Sequence, residues 1–338
     1  MATSAVKSGV GLKPMSLKIL DRSRDVSTIN AVVFLPAYNA SSTIAQTLDA
    51  LQNNPGLKHI KAVLVLDDAS RDGTVAAARS AWRSTVPLEI CSNLSNAGER
   101  TTTNSGFARL TADIEWAFIL HADDVVKPNW ISLYWNEMIG CADDVATICS
   151  SFDIWFPESG QIHAGEEFPD KPSVLVKGTR AAVLDTLDRG CWWHISGCAI
   201  RVRAFHQIGE FEATLPQTGD WEWLLRCLDK GFSVLYLPRS TLRYRQHGHS
   251  VSSISFRRGR DIQERLWTLT SYRDRGYLSS VEYRRRVLGL MYQVARRILV
   301  RAVRRDLTGV LHHAQVLAEI AAKYKQSPDP QEGGHYQP

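Results

Sequence analysis

The chain predicts an α/β fold: a mostly parallel sheet, doubly wound in its first half, flanked by helices. Apolar runs at 31–35, 62–66 and 116–120 lead into Pro36, into Asp67 and, two residues on, into Asp123. Unbroken apolarity of that length marks strands buried on both faces. Helical periodicity fills the stretches between them, the alternation expected of parallel strands joined by crossover helices. With 338 residues, the chain has room for one large domain and a smaller appendage.

Residues 31–35 form the first expected strand. The segment 41–54 follows as a helix, with Ser41 at its N-cap and Ile44, Leu48 and Leu51 on one face. Strand 62–66 precedes a helix at 73–83, for which Ser70 or Asp72 is the expected cap. A short strand at 88–91 and a Gly-, Asn- and Thr-rich segment lead into a helix near 103–110, and strand 116–120 completes the half. The stretch 147–197 alternates strand-like pieces with loops. A helix at 220–230, ended by Gly231, runs into a strand at 232–237. Arg-rich helices are expected at 261–275 and 281–325. The domain plan is a flexible tail at 1–28, a catalytic-looking domain at 29–255, a basic helical region at 256–325 and a disordered tail at 326–338.

Composition narrows the function class. No apolar run approaches the roughly 18 residues of a membrane-spanning helix. The first twenty residues lack the apolar core of a signal peptide. Six scattered cysteines without a CxxC pair fit neither a zinc site nor a small disulfide scaffold, so a cytoplasmic location is expected. The net charge of +5 is uneven: residues 256–325 hold 14 Arg and 2 Lys against 3 Asp and 3 Glu, a surplus of 10 that leaves −5 elsewhere. Nucleic-acid binding is not expected, because no recognition motif accompanies this charge.

Open α/β sheets bind ligands at the C-terminal ends of their strands. Three strand ends present Tyr38 and Asn39, Asp67 and Asp68, and Asp123 and Asp124, so these residues are expected to share one site. Paired carboxylates suit nucleotide chemistry, where one holds a hard divalent cation against diphosphate oxygens and another hydrogen-bonds ribose or base. Turn and cap chemistry accounts for Ser70, Asp72 and Gly73, but not for two carboxylates ending a buried strand.

In order, LPAYNA (35–40), DDASRDGT (67–74), NAGERTTTNSG (96–106), LHADD (120–124), GDWEWLLR (219–226) and YRQHGHSVS (244–252) resemble the motifs of glycosyltransferase family 2. The resemblance covers about 30–255. It implies a GT-A fold, with a Rossmann-like, mostly parallel sheet and here a C-terminal helical extension. The implied activity is inverting transfer of a sugar from a nucleotide-diphospho-sugar, a UDP-sugar favoured, with Mn²⁺ or Mg²⁺ as cofactor. By the same resemblance Pro36, Ala37 and Tyr38 line the base and ribose pocket, and Asp68 accepts from the base. Gly98 and Arg100 approach the nucleotide, Asp123 contacts ribose, Asp124 binds the metal, and His247 reaches the metal or the diphosphate. Asp220 corresponds to the general base, a position where Asp is equally suited to capping a helix. The chain departs from the family pattern twice, with His121 where Asp often opens the metal motif and Gly219 where Glu usually precedes the base.

Trp192 and Trp193 offer flat faces for a carbohydrate or lipid-linked acceptor, or serve as core. The segment 287–311 spaces apolar residues at helical intervals between Arg clusters. It suits peripheral contact with an anionic membrane surface, core packing or an oligomer contact. Cell-surface glycan or glycoconjugate assembly is the expected setting. Two rivals stand beside this reading. A sugar-nucleotide pyrophosphorylase needs a Gly-rich basic loop after the first strand, where this chain has PAYNA. A catalytically degenerate sugar-nucleotide or membrane-surface binding protein would not need Asp68, Asp123, Asp124, Asp220 and His247 together.

Overall fold

The computed structural model describes residues 29–248 and 250–325. The tails expected at 1–28 and 326–338 lie outside the described residues. The chain divides into two compact units after His247, eight residues ahead of the boundary expected from the onset of the Arg-rich stretch. The first unit opens with β1 (Ala31–Ala37), α1 (Ile44–Gln52), β2 (Ile60–Asp67), α2 (Thr74–Ala81), β3 (Leu88–Ser92), α3 (Glu99–Ala108) and β4 (Trp116–Ile119). These four strands are parallel in the order β3-β2-β1-β4. Every residue of β1 and β4 is buried, as their unbroken apolarity requires.

Next come β5 (Val125–Val126), α4 (Trp130–Met138), β6 (Val145–Phe156), β7 (Gln161–His163), β8 (Val174–Val176), α5 (Arg180–Arg189), β9 (Ala199–Arg201), α6 (Val202–Ile208), α7 (Gly219–Asp229) and β10 (Ser233–Arg245). The sheet extends from β4 through antiparallel β9 to β6 and then to β10, which runs parallel to β6. β10 is far longer than the six-residue strand expected, because its second half pairs with Phe152–Trp155 of β6 after an irregularity near Ser240. That extension carries Arg245 and His247 back towards the end of β4.

Two starts differ from expectation for local reasons. α1 begins at Ile44 with Thr43 at the N-cap, while Ser41 lies in the preceding turn, where its N–H donates to Asp72 Oδ2 at 3.1 Å. α3 begins at Glu99, four residues early, because Gly98 adopts φ 88° and turns the chain directly into the helix. α3 seats closely on β1 and β2 at Gly106, where a Cβ would stand 2.6 Å from Leu66 Cδ1 and 3.1 Å from Phe34. The missing side chain therefore sets how near Glu99 and Arg100 come to the strand ends.

The second unit is helical: α8 (Val251–Arg258), α9 (Arg260–Asp274), α10 (Ser280–Val303) and α11 (Leu307–Lys325). The single helix expected at 281–325 is broken. Arg305 has φ 58°, and Asp306 accepts from Gly309 N–H at 2.9 Å while pairing with Arg301, which starts α11 afresh. Among the described residues no helix is long and apolar enough to cross a membrane.

Candidate active site at the strand ends

Pro36 and Ala37 close β1 beside Leu66 and Asp67 of β2. Tyr38 follows, 47% exposed, and Asn39 takes φ 49°. Asn39 N–H donates to Ser70 Oγ at 2.9 Å, and Arg71 N–H donates to Asn39 Oδ1 at 2.9 Å. Ser70 and Asn39 thus stitch the β1 and β2 loops together.

Asp68 is buried and fully engaged. Its Oδ1 accepts from Asn93 Nδ2 at 2.9 Å and Ala97 N–H at 2.8 Å; its Oδ2 accepts from Asn96 Nδ2 at 2.9 Å and Gly98 N–H at 2.8 Å. Four donors on one carboxylate make this side chain the latch that folds the loop from β3 into α3. Asp68→Asn turns one acceptor atom into a donor facing two N–H groups. A loss of about 2 kcal/mol or more is expected in denaturant unfolding, with weaker binding of every nucleoside diphosphate alike. Unchanged stability with a loss confined to one base would instead assign Asp68 to base recognition.

The end of β4 gathers His121, Asp123 and Asp124, whose ligand-type atoms lie within 4.8 Å of one another. Asp124 Oδ1 accepts from Arg245 N–H at 2.9 Å, but its Oδ2 is buried with no hydrogen-bond partner. Burial and the charge of Asp123 push the Asp124 carboxyl up to about 7. An orphaned buried oxygen beside a second carboxylate is an oxygen donor pair fit for a hard divalent cation such as Mn²⁺ or Mg²⁺. His247 Nε2 sits 3.2 Å from Asp123 Oδ2, and this bond raises the His247 pKa. Arg245 Nε donates to the Asp123 carbonyl at 2.6 Å, and its guanidinium also reaches Gln46.

A line of charges joins this cluster to α7. His121 Nε2 lies 3.5 Å from Glu99 Oε1, Glu99 Oε2 lies 2.8 Å from Arg100, and Arg100 Nη2 lies 3.8 Å from Asp220 Oδ1. Burial opposes charge on His121, but Glu99 and the two aspartates overcome it and raise the ring to about 9. Burial likewise opposes charge on Glu99, which Arg100 and His121 hold down at about 2. The ring that departs from the family pattern therefore has a built-in carboxylate partner at the first residue of α3. Arg100 itself is 6% exposed, between Glu99 and Asp220, with Phe211 beneath it at 5.8 Å. Asp220 lies in the first turn of α7, where Thr218 occupies the N-cap without a side-chain bond and Asp220 Oδ1 accepts the Trp221 N–H at 2.8 Å, so a helix-start role and a chemical one fall on the same side chain.

The two tryptophans separate. Trp193 is a core side chain: its Nε1 donates to Thr147 Oγ1 at 3.1 Å and its ring stacks on Trp223 at 5.4 Å. This placement corrects the expectation of an acceptor face there. Trp192 is half-buried, its Nε1 donating to Thr186 Oγ1 at 3.1 Å. Glu99, Ser196 and Arg245 were not singled out from sequence as site residues. His121 N–H donates to Ser196 Oγ at 3.1 Å, and the His194 ring centroid lies 6.3 Å from that of His121. Glu99 and Arg245 both lie within the family-like motifs, in NAGERTTTNSG and YRQHGHSVS, whereas Ser196 carried no such signal.

In sequence the chain is 24% identical over 206 residues to glycosyltransferase AglE of Haloferax volcanii, 60% of this chain and 63% of that protein, so the match spans less than two thirds of the relative. S. aureus TarS, solved with UDP-GlcNAc, superposes with a TM-score of 0.53 at 13% identity, over 90% of this chain and 93% of that one. Mannosyltransferase PcManGT from Pyrobaculum calidifontis, solved with GDP-Man and Mn²⁺, gives 0.55 at 15% identity, over 91% and 90%. At those identities the likeness is one of fold, and the fold is GT-A. The family described as glycosyl transferase family 2 matches residues 32–209, which take in the ends of β1, β2 and β4 but stop short of Asp220, Arg245 and His247. A match over more than half of the chain, with the strand-end carboxylates inside it, places this protein in glycosyltransferase family 2.

Proposed function

We propose that the protein is an inverting, metal-dependent glycosyltransferase that uses a nucleotide-diphospho-sugar, with UDP-sugars favoured, and serves cell-surface glycan or glycoconjugate assembly. The observation that carries this reading is the orphaned Asp124 Oδ2 at the end of β4, linked through His121, Glu99 and Arg100 to a second carboxylate, Asp220, on α7. In the reaction the acceptor oxygen bonds to the anomeric carbon as the bond to the diphosphate breaks, and the departing diphosphate keeps that electron pair. Asp220 takes the acceptor's proton. Attack opposite the leaving group inverts the centre, through an oxocarbenium-like state.

Asp124 and Asp123 would hold Mn²⁺ or Mg²⁺, with His247 as a further contact on the side of β10. The cation supplies charge stabilisation for the leaving diphosphate. Tyr38, Pro36 and Ala37 flank the nucleoside side of the cleft, Gly98 shapes its rim, and Arg100 orients Asp220. Trp192 is the remaining aromatic surface for a carbohydrate or lipid-linked acceptor. The donors printed for TarS and PcManGT, UDP-GlcNAc and GDP-Man, support the donor class.

A panel of UDP- and GDP-sugars, read by thermal shift with and without Mn²⁺, tests this. A ligand at about 100 times its Kd stabilises by about 2.7 kcal/mol. A Mn²⁺-dependent shift with UDP-sugars, accompanied by release of UDP, is expected. No shift with any donor would remove the reading, and a shift without nucleotide release would mark a binding protein that has lost turnover.

A further inference from the structure

We propose that the outward face of α10 seats the protein on an anionic lipid surface. α10 turns Tyr283, Val287, Leu290 and Val294 inward, all buried within the second unit. Val281, Leu288, Tyr292, Leu299 and Val303 recur at spacings of seven and four, and so line up on the opposite side. All five are exposed, Tyr292 by 72%, Leu299 by 67% and Val303 by 84%. Leu307 and Leu311 are exposed as well, just past the break between α10 and α11. Single exposed apolar side chains are ordinary; an aligned row about 33 Å long, at 1.5 Å per residue, marks an interaction surface.

The charges around the row select its partner. Arg285, Arg296, Arg304 and Arg305 are exposed beside it. Arg297 is turned inward onto Asp261, with contacts of 2.8 and 2.7 Å, and Arg301 onto Asp306, so these two are not part of the face. Glu282, the lone acid of α10, is consumed by the capping box with Ser279 at the first turn. The face is therefore apolar and cationic along its whole length. A leaflet matches both properties, with acyl chains for the row and anionic headgroups for the guanidinium groups. A second copy meeting this face about a two-fold axis would press two cationic surfaces together. The assignment stands apart from the transfer reaction, since no residue of the face belongs to the strand-end site.

Co-sedimentation of the full chain with phosphatidylcholine vesicles, with and without phosphatidylglycerol, tests the assignment. Binding is expected only to the anionic vesicles, and it should weaken as the Debye length falls from about 10 Å at 0.1 M salt to about 3 Å at 1 M. Arg296→Gln, Arg304→Gln and Arg305→Gln combined should weaken it on the order of a hundredfold. Leu299→Gln with Val303→Gln should weaken it by about tenfold or more. Both variants should keep the wild-type melting temperature and nucleoside-diphosphate affinity, so failure to bind lipid is distinguishable from failure of the transferase reading. Absence of sedimentation, or sedimentation indifferent to lipid charge and salt, overturns the proposal. So does a dimer in light scattering that Leu299→Gln with Val303→Gln abolishes, which would give the face to a second copy.

Discussion

Replacing Asp220 with Asn is expected to lower sugar transfer by about 10² or more while melting temperature and donor affinity stay near wild type. Asn matches Asp in size and keeps an oxygen for the Trp221 N–H, which Asp220 Oδ1 now accepts at 2.8 Å. What it lacks is the capacity to take a proton. The contact with Arg100 at 3.8 Å also weakens, but Arg100 retains Glu99 at 2.8 Å, so the guanidinium stays in place. A single-turnover measurement of product, with donor affinity titrated separately, divides the chemical step from binding. Transfer at a similar rate in the variant would assign the proton to another group and detach α7 from the mechanism.

Asp124→Ala carries the second large effect. In isothermal titration of a nucleoside diphosphate with Mn²⁺, affinity is expected to fall by about 10² or more, because outer-shell changes alone cost 10–100-fold. Folding should survive. Asp124 Oδ2 is a buried acceptor without a partner, and removing such an oxygen relieves a desolvation penalty that offsets the loss of the bond from Arg245 N–H. The apo melting temperature therefore separates loss of a ligand from loss of structure. Unchanged affinity in the presence of Mn²⁺ would sink the metal assignment at this residue.

Asp123, Asp124 and Asp220 were legible in the sequence as chemistry, because each stands where an apolar run or a helix pattern meets a polar motif. The charge line between them was not. Glu99 and His121 lie 22 positions apart, and neither position signals a partner; only the seating of α3 against β1 and β2 brings them within 3.5 Å. Asp68 shows the same gap from the other direction. Its place at the end of a buried strand was readable, but the convergence of Asn93, Asn96, Ala97 and Gly98 on its carboxylate depends on how the loop after β3 folds back.

The sequence by itself determined the parallel half of the sheet, the helices between its strands and the family motifs at the strand ends. These follow from local periodicity and from the cost of burying a polar backbone or carboxylate without use. The tertiary structure decided which of two adjacent tryptophans is core, where α10 ends and which arginines face outward. Trp192 and Trp193 read alike in sequence, yet the loop turns one against Thr147 and Trp223 and leaves the other half-buried. Arg296 and Arg297 read alike too, but 100° of helical rotation puts one in solvent and the other on Asp261. Neighbours in sequence share a composition, whereas burial and pairing are set by residues distant along the chain, and only the folded packing brings those together.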